Sequence, residues 1–349
     1  MVCLVTACYK KYVVLALFVC SWQAFGAAAR EVPLEAQKLS GEALVEYLTK
    51  NQDLFEVDPD PVPDFEFKIM DIKFKNQKMS GIMKDDNDTG EDIPESYDPR
   101  TIWKNCTSLF TIRDQANCGS CWAVSTAAAI SDRICMATKA KKQVYISATD
   151  LVACCTACGY GCEGGWPIAA WDFFIYDGLV SGGDYRSKDC CRPYPIHPCG
   201  HHGNDTYYGE CWGMARTPRC RKTCQPGFRK SYRMDKRHGK TAYKLPPSVK
   251  AIQRDILENG PVVAAFAVYE DFRHYKSGVY EHTAGELRGY HAVKMIGWGK
   301  DSNGTDYWLI ANSWHNDWGE DGFFRIRRGN DECEIESDVT GGLIDVDSL

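Results

Sequence analysis

Gln115-Ala116-Asn117-Cys118-Gly119-Ser120-Cys121-Trp122 leads into an apolar run. The positions Trp122, Val124, Ala128, Ile130 and Ile134 have the spacing of a helix over Cys121 to Thr138, with Ser120 as its cap. A cysteine in the first turn of a helix faces free backbone N–H groups and the positive end of the helix dipole. Both favour thiolate over thiol, and the thiolate is the attacking form. Cys121 is therefore the candidate nucleophile.

A nucleophilic thiol needs a base. Of the eight histidines, His291 opens an apolar strand in Gly289-Tyr290-His291-Ala292-Val293, and Asn312 closes another in Tyr307-Trp308-Leu309-Ile310-Ala311-Asn312-Ser313-Trp314. In a Cys–His–Asn arrangement, His291 takes the thiol proton and returns it to a leaving amine, and the Asn312 carbonyl holds the ring in the useful tautomer. Trp314 would shield that hydrogen bond from water. Gln115 can offer its side-chain amide, with the Cys121 backbone N–H, to a tetrahedral oxyanion.

Away from this stretch, helices are expected near Leu39 to Leu48, at Pro167 to Tyr176 with a stop at Gly178, and at Val249 to Glu258. Ser248 caps the last of these and Gly260-Pro261 ends it. Strands are expected at Val262 to Tyr269, His291 to Trp298, Tyr307 to Asn312 and Phe323 to Arg327. A helical half followed by a β half predicts an α+β chain of two lobes with the site between them.

Composition narrows the function classes. The 349 residues are 44% hydrophobic and 25% charged, with a formal net charge of −6, which is globular and opposes nucleic-acid binding. Basic residues gather only around Arg216 to Arg237, a stretch that also holds Cys220, Cys224, Pro218 and Pro226 and reads as a disulfide-tied surface. Lys10 and Lys11, the apolar run Val13 to Val19 and the small residues Gly26 to Ala29 have the layout of a secretory signal over 1–29. The competing reading is an N-terminal anchor, but the apolar run is short for a membrane span. Removing that segment takes three of the 18 cysteines and leaves 15, an odd number that predicts at least one thiol without an intrachain partner in an oxidising compartment. Sequons at Asn87, Asn105, Asn204 and Asn303 fit the same route, Asn105 least because Cys106 follows it.

Residues 30–92 contain no cysteine and turn acidic and proline-marked, ending in the stretch Asp85 to Asp92, which reads as an exposed linker. The segment by itself leaves open whether it is a propeptide or a disordered extension.

Cys118-Gly-Ser-Cys121-Trp is the signature of papain and cathepsin enzymes, and from Ile93 onward the chain resembles the papain superfamily and, within it, cathepsin B. The insert from Cys191 through Cys199, His201 and His202 to Cys211 carries the second resemblance. It accounts for the 170 residues between Cys121 and His291, more than the roughly 130–150 usual for the signature. The resemblance implies a papain-like fold with a helical left lobe and a β-barrel-like right lobe. It implies a 30–92 propeptide that inhibits the 93–349 peptidase domain, and an occluding loop at about 191–211 capping the primed side of the cleft. In that loop His201 and His202 would receive a substrate's C-terminal carboxylate, giving dipeptide removal alongside endopeptidase activity, and Asp114 would hold the loop through the first histidine of the pair. Gly164 and Gly165 would line the backbone of the substrate on the non-primed side. Six disulfides are implied: Cys106–Cys135, Cys118–Cys162, Cys154–Cys220, Cys155–Cys158, Cys191–Cys224 and Cys199–Cys211. Cys190 and Cys333 are left over and their pairing stays open.

Asp338 stands in the place of a glutamate at the floor of the S2 pocket, so a weaker preference for basic P2 residues is expected. Tyr290 replaces a glycine before the histidine, which would change contacts near the leaving group. YWLIANSWHNDWGE, from Tyr307 to Glu320, resembles a pattern of cathepsin B-like enzymes of blood-feeding worms and suggests digestion of host blood proteins. Expected partners are protein and peptide substrates and cystatin-type inhibitors, with no nucleic acid, membrane, metal or cofactor; expected locations are the secretory pathway, lysosome or gut lumen. Three rival readings compete. A thiol–disulfide oxidoreductase built on Cys118-Gly-Ser-Cys121 lacks a preceding strand. A zinc site of His197, Cys199, His201 and His202 is cramped. A peptidase-like binding protein would have lost one of the catalytic residues.

Overall fold

The computed structural model describes residues 31–60, 63–75, 82–84, 92–202 and 206–349. The predicted signal, the sequons at Asn87 and Asn204, and all of the acidic linker except Asp92 lie outside the described residues.

Six helices are present among these residues: α1 Gly41–Asn51, α2 Pro99–Ile102, α3 Cys121–Ala137, α4 Ala148–Cys154, α5 Pro167–Tyr176 and α6 Val249–Asn259. Eight strands follow or intervene: β1 Phe55–Val57, β2 Tyr243–Lys244, β3 Val262–Tyr269, β4 Tyr275–Tyr280, β5 Leu287–Lys300, β6 Asp306–Ala311, β7 Phe323–Arg327 and β8 Val339–Gly341. The sheet order is β1-β4-β7-β6-β5-β3-β8-β2, antiparallel except for β4 beside β7. The architecture is α+β, as expected, but the sheet is open and not barrel-like. Its two ends are β1 and β2, strands of three and two residues that lie on opposite flanks. The β1 edge strand comes from the N-terminal segment, where Phe55 pairs with Gly278.

Alternation along the central strands explains how the two lobes meet. Phe266 and Val268 of β3 and Val293 and Met295 of β5 face an aromatic core with Trp308 and Phe324. Val263, Ala265 and Ala267 of β3 and Ala292 of β5 face a second core with Trp122, Trp171 and Phe174 of the helices. The alanines on this face let α3 close onto the sheet, which brings Cys121 against Ala292. Helix α3 is buried almost all round, including Asp132 and Arg133. Each of these charges has a partner, Lys294 at 2.6 Å and Asp255 at 2.5 Å, that ties α3 to β5 and α6.

Ser120 stands at the N-cap of α3 but makes no capping bond; its hydroxyl is held by the Tyr194 hydroxyl at 2.7 Å. All six expected disulfides are formed. Cys190 and Cys333 do not pair, so with Cys121 there are three free thiols among the described residues.

Candidate active site

Cys121 lies at the first position of α3 and His291 on the facing strand β5, both fully buried. His291 Nε2 is 2.7 Å from Asn312 Oδ1. That amide oxygen also accepts the Ser313 backbone N–H at 2.8 Å, which fixes it as the acceptor. It can take a hydrogen only from Nε2, so in the neutral ring Nδ1 carries the lone pair. Nδ1 is buried and has no hydrogen-bond partner among the described residues. The Trp314 ring lies 4.8 Å from the imidazole, centroid to centroid, and covers the His291–Asn312 bond.

The expected low thiol pKa does not hold in this closed form. Burial pushes the Cys121 thiol up to about 12, against backbone N–H groups of Ala292, Trp122 and Cys121 that favour the thiolate. Burial likewise pushes His291 down to about 4, against the Asn312 hydrogen bond. Water exclusion outweighs the helix dipole here, and both groups are neutral at pH 7.

What excludes the water is the N-terminal segment. Gln115 Nε2 donates to the Lys68 carbonyl at 2.8 Å and to the Cys118 carbonyl at 2.7 Å, while its Oε1 accepts the Ser313 hydroxyl at 2.7 Å. Ser313 thus sets the direction of the Gln115 amide, a role that the sequence reading missed. Next, Met70 exchanges two hydrogen bonds with Tyr290, at 2.7 and 3.0 Å. The Phe74 ring lies where a Cβ on Gly164 would be, 2.4 Å from that position, and a Cβ on Gly165 would strike Trp122 at 2.7 Å. Both glycines therefore permit close approach along this wall.

On the other side of Lys68, Asp58, Asp60, Pro63 and Asp64 share a cavity of about 330 Å³ with Cys199, His201, His202 and Trp314. The expected anchoring of the insert through its first histidine needs correction. His201 is exposed, its ring tilted against Tyr207 with 4.7 Å between centroids. His202 is the one that turns inward, with Nε2 3.5 Å from Asp114 and Nδ1 3.1 Å from Asp317. Adjacent residues on an extended chain face opposite ways, and nothing local says which faces in. His315 joins this group, stacked on His202 at 4.0 Å and 3.2 Å from Asp317. Burial opposes ionisation of Asp317, but hydrogen bonds from His202 and His315 outweigh it and hold the carboxyl below its usual range. His202, His315 and Asp317 are the trio of metal-type donors that converges among the described residues, within 4.8 Å. The rival zinc set loses its thiolate, because Cys199 is bonded to Cys211.

A second cavity, of about 370 Å³, lies on the Gly165 side and is lined by residues including Met70, Lys75, Lys244, Tyr290, Glu334 and Asp338. Tyr290 therefore stands in the same pocket as Asp338 and away from the His202 side. Its hydroxyl donates to Glu334 at 2.9 Å. Asp338 is paired with Lys244 at 3.0 Å. Glu334 and Lys244 had no signal in the sequence.

Comparison with known proteins agrees with this geometry. Residues 93–343 match the family model of papain family cysteine protease. The chain is 68% identical over 343 residues to cathepsin B-like cysteine proteinase 2 of Haemonchus contortus, covering 97% of this chain and all of the relative. It is 46% identical over 319 residues to the gut-specific cysteine proteinase of Caenorhabditis elegans, covering 89% of this chain and 94% of the relative. Among solved structures, proCathepsin B S9 from Trypanosoma congolense superposes with a TM-score of 0.74 at 35% identity, covering 88% of this chain and 99% of the other. With a buried cysteine facing a His–Asn pair and a matching family model over most of its length, the chain belongs to the papain family of cysteine proteases, as a cathepsin B-like member made in precursor form.

Proposed function

We propose that this chain is a secreted zymogen whose mature domain cuts proteins internally and also removes C-terminal dipeptides. The observation that carries the reading is Gln115 holding a peptide carbonyl, that of Lys68, beside the His291–Asn312 pair. A carbonyl of a substrate would take the same place once the segment leaves. His291 Nδ1 then accepts the Cys121 proton, and the sulfur attacks the carbonyl carbon. The oxyanion takes hydrogen bonds from Gln115 Nε2 and the Cys121 backbone N–H. The imidazolium gives its proton to the leaving amine, and water, deprotonated by the same nitrogen, hydrolyses the thioester.

Residues 30–92 act as the inhibitory propeptide. Their order supports this: Asp58, Asp60, Pro63 and Asp64 lie by the His202 loop, Lys68 at Gln115, and Met70, Phe74 and Lys75 by Gly165 and Asp338. If the His202 side is the primed side, the segment runs opposite to a substrate, so its peptide bonds are presented in the wrong sense for attack. His201 and His202 would receive the terminal carboxylate of a substrate after release, with Asp114 and Asp317 setting His202. Because Lys244 already neutralises Asp338, that carboxylate adds little preference for P2 arginine. Secretion with glycosylation, action in a gut lumen or lysosome on dietary or blood proteins, and control by cystatin-type inhibitors complete the reading; the gut-specific relative supports the location.

The test compares activated wild type with Cys121→Ala on Phe-Arg amides and on peptides with free C-termini, with and without an epoxysuccinyl inhibitor. Loss of both activities in the variant is expected. Hydrolysis that survives in Cys121→Ala would overturn the mechanism, and absence of dipeptide release in wild type would overturn the exopeptidase part.

A further inference from the structure

The pocket beside Gly165 already holds a basic side chain, and not at Asp338. Lys75 of the N-terminal segment places its Nζ 2.5 Å from Glu334 Oε1 and 5.4 Å from the centre of the Tyr290 ring. The other Glu334 oxygen accepts the Tyr290 hydroxyl. One carboxylate thus offers a charged acceptor with its second oxygen locked, and an aromatic face lies beside it. That is a cation site made of charge-assisted hydrogen bonding and a cation–π contact. Asp338 lines the same cavity, but its carboxylate is engaged by Lys244 of β2. A cation from a substrate would have to share that carboxylate with Lys244, whose charge already offsets it.

The backbone around Glu334 points the same way. Asp331, Cys333 and Glu334 all have positive φ, at 53°, 50° and 67°. Cysteine and glutamate adopt that region at a cost, and such strain gathers at binding sites. Glu334, carried on this turn, lines the cavity.

We infer that Glu334, braced and flanked by Tyr290, is the residue that binds a lysine or arginine side chain at P2 of the substrate, and that Lys75 occupies this site in the closed precursor. The inference rests on the peptidase reading above.

The experiment uses the activated enzyme and dipeptidyl amides with arginine or phenylalanine at P2. Wild type, Glu334→Gln, Asp338→Asn and Lys244→Ala are compared by kcat/KM. Glu334→Gln should lower the Arg/Phe ratio by about tenfold or more, the scale for losing a charged hydrogen bond, while the Phe substrate changes little. Asp338→Asn should leave the ratio within about twofold, and Lys244→Ala should raise it by freeing Asp338. An unchanged ratio in Glu334→Gln, or a collapse in Asp338→Asn, would overturn the inference. If Glu334→Gln folds poorly, Tyr290→Phe provides a second arm, with a smaller fall in the ratio expected and no fall counting against the site. Wild type inactive on both substrates would instead defeat the peptidase reading itself.

Discussion

Releasing the N-terminal segment should change the ionisation of Cys121 by many orders of magnitude, and this can be measured without a substrate. In the closed chain burial places the thiol at about 12, so at pH 7 the thiolate fraction is about 10⁻⁵, a cost of about 7 kcal/mol at 1.36 kcal/mol per unit. Once water reaches the cleft, the helix N-terminus and an imidazolium partner favour the thiolate, and cysteines so placed have pKa values near 3–4. At pH 7 the freed domain should then be almost wholly thiolate–imidazolium. The assay is thiolate absorbance near 240 nm, wild type minus Cys121→Ala, before and after removal of the segment. Cys190 and Cys333 cancel in the difference. Absorbance reads population and not flux, so rare openings of the segment do not distort it, as they would distort alkylation rates. The expected result is no difference signal in the intact precursor from pH 5 to 9 and one full thiolate in the freed domain. A full thiolate in the intact precursor at pH 6 would refute the argument, because the segment would then block substrate without drying the pair.

Four further outcomes follow from the geometry. Gln115→Ala should lower kcat about 10²- to 10³-fold with KM little changed, and steady-state kinetics on a Phe-Arg amide would read this. His202→Ala should abolish dipeptide release while endopeptidase activity on a terminally blocked substrate persists, measured side by side at pH 5. His291 is depressed to about 4 from 6.5, so the unfolded chain binds a proton between those values that the folded chain does not; precursor stability should fall by up to about 3 kcal/mol from pH 6.5 to 4. Urea unfolding in a Cys121→Ser background, compared with the same protein carrying His291→Phe, isolates that slope. Lys68→Met should make opening of the segment less dependent on acid, read as a downward shift in the pH of half-maximal self-activation.

Much of the catalytic geometry was legible because its signals are local. Helix α3 begins at Cys121 where apolar spacing and the Cys-Gly-Ser-Cys-Trp run place it, and α5 and β3 match their expected limits. The His291–Asn312 bond could be anticipated from the apolar strands that carry the two residues, although β5 begins at Leu287 and places His291 inside the strand, while Asn312 directly follows β6. What escaped depends on partners far along the chain. Phe55–Val57 has no strand signal of its own and becomes β1 by pairing with β4. Glu334 meets Lys75 across 259 residues, and Lys244 meets Asp338 across 94. His315 acquires its role only by stacking on His202. The low-pKa expectation failed for a related reason: a helix dipole can be read locally, but burial by another part of the chain cannot.

The two neutral catalytic groups also limit where acid activation can originate. In the closed chain Cys121 and His291 hold one proton between them, on sulfur. After opening, the thiolate–imidazolium pair again holds one, on nitrogen. Equal proton counts give no pH dependence, however large the change in either pKa. The response must come from groups that gain or lose protons when the segment leaves. Lys68 is the place to look, since its ammonium is buried and burial lowers its pKa against the attraction of Asp114, Asp64 and Asp317. Two of those carboxylates, Asp114 and Asp317, also hold His202. Opening returns the Lys68 amine to water and to its ordinary pKa, so it gains a proton on opening wherever the buried amine is neutral, and falling pH then favours the open form. The carbonyl of Lys68 holds Gln115 while its amine would gain the proton, so this one residue should couple release of the segment to pH.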